Sequence, residues 1–420
     1  MIHYDQKTAY LIAIGDELLI GQTADTNSYW IADQLTSLSF DVKKIMAVHD
    51  TEDGIIDALS ESVSNADLVI VTGGLGPTID DITKRTFARF LGVEMEFNPV
   101  FFEKVKAYVE KRGAKLDELM YNYSFFPEGT RFLTNNAGTA PGMAFRFGNT
   151  IIYSVPGVPH EMKSIFTNEI LPELRELVSG IVMVKKTIMT AGEMEASIAD
   201  RLKDIVNELP EGVSIAYLPN PGKVKIRVSS KSSARDKAIE NLNFVVERIE
   251  AELGDGVYGY DNELLEKITG DVLRESKLKL GTAESCTGGL ISARITSVPG
   301  SSDYFVGGIT AYSNRIKTSL LGVNEETLIK NGAVSEQTVV EMVKGALKTL
   351  KCDLAIASSG IAGPGGGTDE KPVGTIWLAV GNSENIVTKK LQLGNDRYRN
   401  NETSTIFAIN MLRMFLSKKH

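Results

Sequence analysis

Histidine is nearly missing from this sequence: 420 residues contain four, and from residue 262 onward there is only His420. That scarcity excludes a Ser-His-Asp triad in the last third of the chain, so an activated hydroxyl there needs another base. Cysteine is equally sparse. The two present, Cys286 and Cys352, are far apart and in no CxxC spacing, which excludes a disulfide framework and a thiolate zinc site. No run of about 18 uncharged apolar residues occurs, and the apolar run at 9–14 meets Asp16 and Glu17 too soon for a signal peptide. A cytoplasmic protein with no membrane partner is expected. Excess positive charge is lacking too: 45 Lys and Arg stand against 54 Asp and Glu, a net charge of −9. Sequence-independent binding to nucleic acid, which rests on cations neutralising phosphates, is disfavoured. Small ligands are the expected partners.

What remains is an ordinary globular composition, 43% hydrophobic and 24% charged, in a chain too long for one core. Residues 1–178 alternate short β-branched runs (9–15, 42–48, 68–72, 150–155) with helical patterns, the signature of a parallel sheet covered on both faces. Residues 92–135 read as a mostly helical insertion with its own small core. From 179 to 258 follows a small α+β unit, with strands near 182–189, 213–218 and 224–228 and helices over 193–208 and 233–253; 254–260 reads as a turn-rich boundary. Residues 259–420 return to strand–helix alternation, with strands at 279–283, 306–311, 354–358 and 375–380. No internal repeat has a fixed period, so the expected fold class is α/β: two different three-layer α/β domains joined by a small α+β domain.

In the last block, Ala283-Glu284-Ser285-Cys286-Thr287-Gly288-Gly289 lies between an apolar run and an amphipathic stretch, where a strand meets a helix. A serine there is displayed past the sheet edge, and nearby N–H groups suit an anion or an oxyanion. Cys286 reads equally as a small buried residue filling space under the turn. With no histidine to activate Ser285, the base must be a neutral lysine or a tyrosine, and Tyr312 and Lys317 follow a strand nearby. Holding a lysine neutral at pH 7 takes roughly 4 kcal/mol of environmental bias, since its free pKa is about 10.4. Burial or a second cation such as Arg315 would contribute. The run 359–367, with Ser359, Gly360, Gly363 and Gly366, should lie at the same sheet edge, its amides cradling a phosphate or oxyanion; a flexible surface loop is the competing reading.

In the first block, Gly73, Gly74, Gly76 and Thr78 follow a strand and lead toward a helix, an arrangement that lets backbone approach a phosphate. Asp80 and Asp81 stand where a divalent cation bridging phosphates wants oxygen ligands, although either also suits a helix cap. A second polar run, 15–28, holds Glu17 as a further metal-ligand candidate and Asn27 as a phosphate-binding candidate, with Asp25 or Asn27 as a helix cap the competing reading. His160, alone at a helix start, reads as structural.

The segments 283–289, 312–317, 332–335 and 359–374 resemble the C-terminal domain of the CinA family of competence/damage-inducible proteins, itself similar to stand-alone nicotinamide mononucleotide deamidases. That resemblance implies Ser285 as nucleophile, Lys317 as general base and Tyr312 as assisting hydroxyl. It also implies that Thr287, Gly288, Gly289, Ser359, Gly360, Gly363, Gly366 and Arg397 bind substrate, with no cofactor. The family's second arginine, four residues after Arg397, is replaced here by Asn401, with Arg399 nearby. The runs 15–28, 71–81, 136–142 and 155–162 resemble the family's N-terminal domain, similar to the molybdopterin-binding fold. It implies metal-dependent hydrolysis of ADP-ribose to AMP and ribose 5-phosphate. Residues 179–258 resemble its KH-like domain, here without a GxxG loop, and read as a spacer or dimerisation element in a homodimer. Small-molecule nucleotides are the implied partners. The competing reading is a regulatory protein that binds a nucleotide or pterin without cleaving it.

Overall fold

The computed structural model describes residues 7–78, 81–111, 118–178 and 182–417. The chain divides into two compact units, Met1–Val184 with Lys231–Ala238 and Lys185–Ser230 with Ile239–His420.

The first unit holds strands β1 (Thr8–Ile14), β2 (Asp41–Val48), β3 (Leu68–Thr72), β4 (Met95–Phe97), β5 (Phe125–Pro127), β6 (Arg131–Leu133), β7 (Gly142–Phe147) and β8 (Thr150–Val155). Six of them form one sheet in the order β2-β1-β3-β8-β7-β6, with β4 and β5 paired separately. Alternation within the strands divides their side chains between two faces. Leu11, Leu68 and Ile70 pack with Ile31, Leu35, Met162 and Phe166, whereas Ile12, Val69 and Val71 pack with Ile55, Leu59 and Phe87. The fully buried Leu-Val-Ile-Val-Thr of β3 lies at the centre, as a strand covered on both sides must.

Two expectations are corrected. The sheet is mixed rather than parallel, because β7 and β8 form an antiparallel hairpin through Gly148 and Asn149. The 92–135 insertion has a core not wholly its own among the described residues: Phe101, Val105, Tyr123 and Phe126 join the cluster that covers the sheet, while Phe97, Phe102, Tyr121 and Phe125 pack against one another. It also contributes β4, β5 and β6 beside its helices Pro99–Lys111 and Glu118–Asn122.

The second unit begins with β9 (Val182–Ala191), β10 (Val213–Asn220), β11 (Lys223–Ser232) and β12 (Val257–Tyr260), ordered β10-β11-β9-β12. The supposed boundary turn is therefore a strand, β12, antiparallel to β9; its glycines masked the Val-Tyr-Tyr pattern. The helix expected over 193–208 is two, Glu195–Arg201 and Lys203–Asn207. A second sheet follows in the order β14-β13-β15-β16-β17: β13 (Leu280–Glu284), β14 (Phe305–Thr310), β15 (Leu354–Gly360), β16 (Thr375–Gly381) and the unanticipated β17 (Ile386–Gln392). On one face, Ala283, Ala355, Ala357 and Ala379 admit the helix Glu336–Leu350 through Val339, Met342 and Val343. On the other, Phe407 and Leu412 of the helix Arg397–Ser417 share a core with Met189, Ala191 and Tyr258. The middle element is thus built into the last block rather than strung beside it. Among the described residues no helix is long and apolar enough to cross a membrane.

Candidate functional site

Strands β13 and β15 are parallel neighbours, so their carboxyl ends bring Glu284-Ser285 beside Ser358-Ser359, at the edge where ligands of open α/β sheets bind. The Ser285 N–H donates to the Ser358 carbonyl at 3.0 Å. The chain then reverses through Gly288 (φ 65°) and Gly289 (φ 104°), left-handed conformations that favour glycine. What holds this turn is a residue the sequence reading passed over. Glu284 is fully buried, and its carboxylate accepts from the N–H groups of Gly289, Ile291 and Ser292 and from the hydroxyls of Thr287 and Ser292, all within 3.0 Å. Of these amides, that of Gly289 belongs to the run expected to face a substrate anion; it is instead held from within, by a carboxylate at the start of the helix Leu290–Thr296.

Lys317 belongs to the helix Asn314–Leu321, capped by Ser313. Its side chain is 1% exposed, and Nζ lies 2.9 Å from Ser285 Oγ and 2.8 Å from the Ala311 carbonyl. Burial pushes its pKa down from the ordinary lysine value. Arg315, considered as a second cation, is exposed and is not what depresses it. A neutral amine donates to Ala311 and keeps its lone pair for the Ser285 hydroxyl, the arrangement a general base requires. Cys286, beside the nucleophile position, is buried, and its thiol pKa is pushed up to about 12. It is a space-filling group rather than a thiolate.

Tyr312 is 61% exposed, and its hydroxyl accepts from Arg397 Nη2 at 2.9 Å. Arg397 Nη1 donates to the Gly363 carbonyl at 3.0 Å, so this pair lines the rim between the β14 edge and the glycine-rich loop. That loop is ordered by its own stitches. Ser359 Oγ donates to the Ala333 carbonyl at 2.7 Å, and Asn400 Nδ2 donates to the Ala362 and Gly394 carbonyls at 2.9 and 2.7 Å. Gly366 lies on its exposed part. Asn401 Oδ1 is buried without a hydrogen-bond partner among the described residues.

In the first unit, the candidates separate into two crevices. Asn27, 7% exposed, donates to Thr72 Oγ1 and to the Gly157 carbonyl and lines one crevice with Glu17 and Asp25. Asp25 caps the helix Thr26–Ser37, accepting from the Ser28 N–H at 2.9 Å. Gly76, Thr78 and Asp81 line the other crevice with Lys84 and Asn122. Gly73 and Gly74 lie behind them: a Cβ at Gly73 would stand 2.2 Å from the Ile14 carbonyl oxygen, so that glycine serves close packing against β1. Asp81 is not the cap of the helix Thr83–Leu91, whose N-cap is Ile82. Its carboxylate accepts from the N–H (2.9 Å) and hydroxyl of Thr78. Asp80 lies outside the described residues. His160 is exposed at the start of the helix Pro159–Ile165.

Two further groups here were not anticipated. Asp50 follows β2 and accepts from the Asp16 N–H, while Asp16 accepts from His49 and from the Asp50 N–H. Burial holds the Asp50 carboxyl above its usual range, and the charges of Asp16, Glu17 and Asp81 add to the effect. The hydrogen bond from His49 holds Asp16 below its usual range. The available signal was position alone: a carboxylate two residues past a parallel strand, at the sheet's carboxyl edge. Lys84, three residues beyond Asp81, gave no signal, since burial of a lysine is not read from composition. Among the described residues, no three of His, Cys, Asp and Glu converge as a metal cage.

Residues 262–416 match the model of the CinA C-terminal domain, 10–176 that of a probable molybdopterin binding domain and 185–259 that of the damage-inducible protein CinA KH domain. The chain is 38% identical over 410 residues to a CinA-like protein of Cytophaga hutchinsonii, covering 98% of each. It is 37% identical over 409 residues to a putative competence-damage inducible protein of Halothermothrix orenii, covering 97% of this chain and 98% of that one. The solved competence/damage inducible protein CihA from Agrobacterium tumefaciens is 39% identical over 36% of this chain and 93% of its own, with a TM-score of 0.36.

Proposed function

This chain belongs to the CinA family, and on that premise we propose that its last block deamidates nicotinamide mononucleotide to nicotinate mononucleotide and ammonia. The observation that carries this reading is the 2.9 Å contact between buried Lys317 Nζ and Ser285 Oγ. Neutral Lys317 takes the Ser285 hydroxyl proton as Oγ attacks the carboxamide carbon. Collapse of the tetrahedral intermediate returns that proton to the departing nitrogen, and ammonia leaves an ester on Ser285. Lys317 then deprotonates the water that cleaves the ester. Because Glu284 already holds the amides of Gly289, Ile291 and Ser292, Arg397 with Tyr312 is the cationic rim left for the substrate phosphate. Ammonia release by wild type, Ser285→Ala and Lys317→Ala tests the reading; wild-type release that survives in Ser285→Ala refutes it.

For the first block we propose divalent-metal-dependent hydrolysis of ADP-ribose to AMP and ribose 5-phosphate. The described carboxylates fit an ion shared with substrate rather than a protein-only cage, since such an ion keeps waters and takes one or two carboxylates plus phosphate oxygens. Asp50 and Asp81 are the residues that would hold it, the charges of Asp81 and Glu17 both acting on Asp50. When bound, the ion neutralises phosphate charge and activates water. The chain's own part is to orient the diphosphate on the 76–78 turn. The second reading is binding of a nucleotide or pterin without cleavage, in which the same 76–78 turn holds the ligand. AMP formation from ADP-ribose that needs divalent metal and is lost in Asp81→Ala separates the two.

A further inference from the structure

Lys84 lies on the helix Thr83–Leu91 with only 6% of its surface exposed. Its Nζ donates to the Tyr123 carbonyl at 2.6 Å and lies 4.1 and 4.5 Å from the ring centroids of Tyr123 and Phe126. Among the described residues no carboxylate pairs with it. The nearest acidic influence is Asp81, whose carboxylate is turned onto Thr78. A buried ammonium without a countercharge is costly, because ring faces and one carbonyl replace only part of its lost hydration.

The missing countercharge has a place to bind. Lys84 lines a cavity of about 210 Å³ with Gly76, Thr78, Asp81, Tyr123 and a second, exposed cation, Arg85. That is about seven waters' worth at ~30 Å³ each, room for a phosphoryl group but not for a whole dinucleotide.

We propose that this cavity is a phosphoryl subsite in which Lys84 supplies the countercharge to one phosphate of a diphosphate substrate, the remainder of the ligand lying outside it. The proposal rests on the reading of the first block as acting on diphosphates, and adds to it the residue that recognises the anion. It also bears on the protonation of Lys84. Burial brings Lys84 down to about 7, against the raising effect of Asp81 and with a smaller lowering effect from Arg85 on its own helix. An anion in the cavity reverses that balance and draws a proton onto the amine.

The test is calorimetric titration of the full chain with ADP-ribose near pH 8, with a chelator present, in two buffers of different ionisation enthalpy. Both phosphates of ADP-ribose are diesters that do not titrate there, so proton uptake reports the protein. Wild type should take up close to one proton, roughly the fraction a group near 7 lacks at that pH. Lys84→Met should abolish the uptake and weaken binding by about tenfold or more. Wild-type binding without proton uptake overturns the proposal, as does wild-type affinity in Lys84→Met. If Lys84→Met does not fold, wild-type uptake alone decides. AMP formation with divalent metal is assayed separately. Lys84-dependent binding with no AMP removes the hydrolase reading and keeps the subsite, whereas AMP formation unaffected by Lys84→Met removes the subsite and keeps the hydrolase.

Discussion

Lys317 Nζ is 2.9 Å from Ser285 Oγ, although the two residues come from different elements, one following β14 and the other following β13. Their separation is set by the parallel pairing of those strands, in which Glu284 stands opposite Thr310. Removing either partner should therefore cost chemistry more than fold. Ser285→Ala and Lys317→Ala are each expected to lower ammonia release by about 10³-fold or more, and the double variant should lose little beyond either single one, because the two act as a unit. Kinetics of all three variants check this; additive losses would mean the pair does not act together.

Burial depresses the Lys317 pKa, and only the neutral amine is a base. The kcat/KM for deamidation should rise with pH as Lys317 loses its proton, then level off below the ordinary lysine range. A pH profile from 5 to 10 measures it, and a rate that does not change across that range removes Lys317 as the base.

Glu284 offers a structural prediction of the opposite kind. Glu284→Ala strands three N–H groups around the Ser285 turn, while the Thr287 and Ser292 hydroxyls keep Ser358 and Thr282 as partners, at a cost of about 3–5 kcal/mol. Glu284→Gln keeps the shape and some acceptor capacity and should lose less. Urea unfolding of both variants gives the comparison.

Arg397 reaches the rim of the site without touching Ser285 or Lys317 through any hydrogen bond described. Arg397→Ala should raise KM about tenfold while leaving kcat within about threefold, the pattern of lost uniform binding. Asn401 lies one helical turn further on, and Asn401→Arg should lower KM by adding a second cation for the phosphate. Steady-state kinetics separate the two parameters; a pure kcat effect in Arg397→Ala would place the residue at the reacting carbonyl instead.

Lys84 titrates near 7 in the folded protein, against an ordinary lysine value of 10.5. Between those values the unfolded chain holds the proton and the folded one does not, so stability rises with pH across that window. Relative to Lys84→Met, wild type should lose stability as pH falls from 9 to 7, by at most ~1.4 kcal/mol per pH unit, and the difference should level off below about 7. Urea unfolding at pH 7 and 9 tests the sign; parallel behaviour of the two proteins would show that Lys84 stays charged.

Much of the architecture could be read in advance because it is written locally. The Leu-Val-Ile-Val of β3 and the Leu-Ala-Ile-Ala that opens β15 are continuous apolar stretches, which sheets buried on both faces require. β12 and β17 were not legible: the first is interrupted by Gly259, and the second, Ile-Val-Thr-Lys-Lys-Leu-Gln, is an edge strand with no regular apolar alternation. The Ser285 turn stood out through its glycines and its place between strand and helix, and Lys317 through the scarcity of histidine. Glu284 lay in the same motif and went unremarked, because a charged residue next to a nucleophile gives no hint in sequence that it will point inward.

Residue order and composition were enough for the strand periods, the glycine turns and the choice of lysine over histidine, since each depends on a few neighbouring residues. Folding was needed to place Glu284 under the helix start, Asp50 beside Asp16 and Lys84 against Tyr123. Each of those contacts depends on burial or on the register of separate segments. Burial is what removes the water that would otherwise make a buried carboxylate or ammonium indistinguishable from a solvated one.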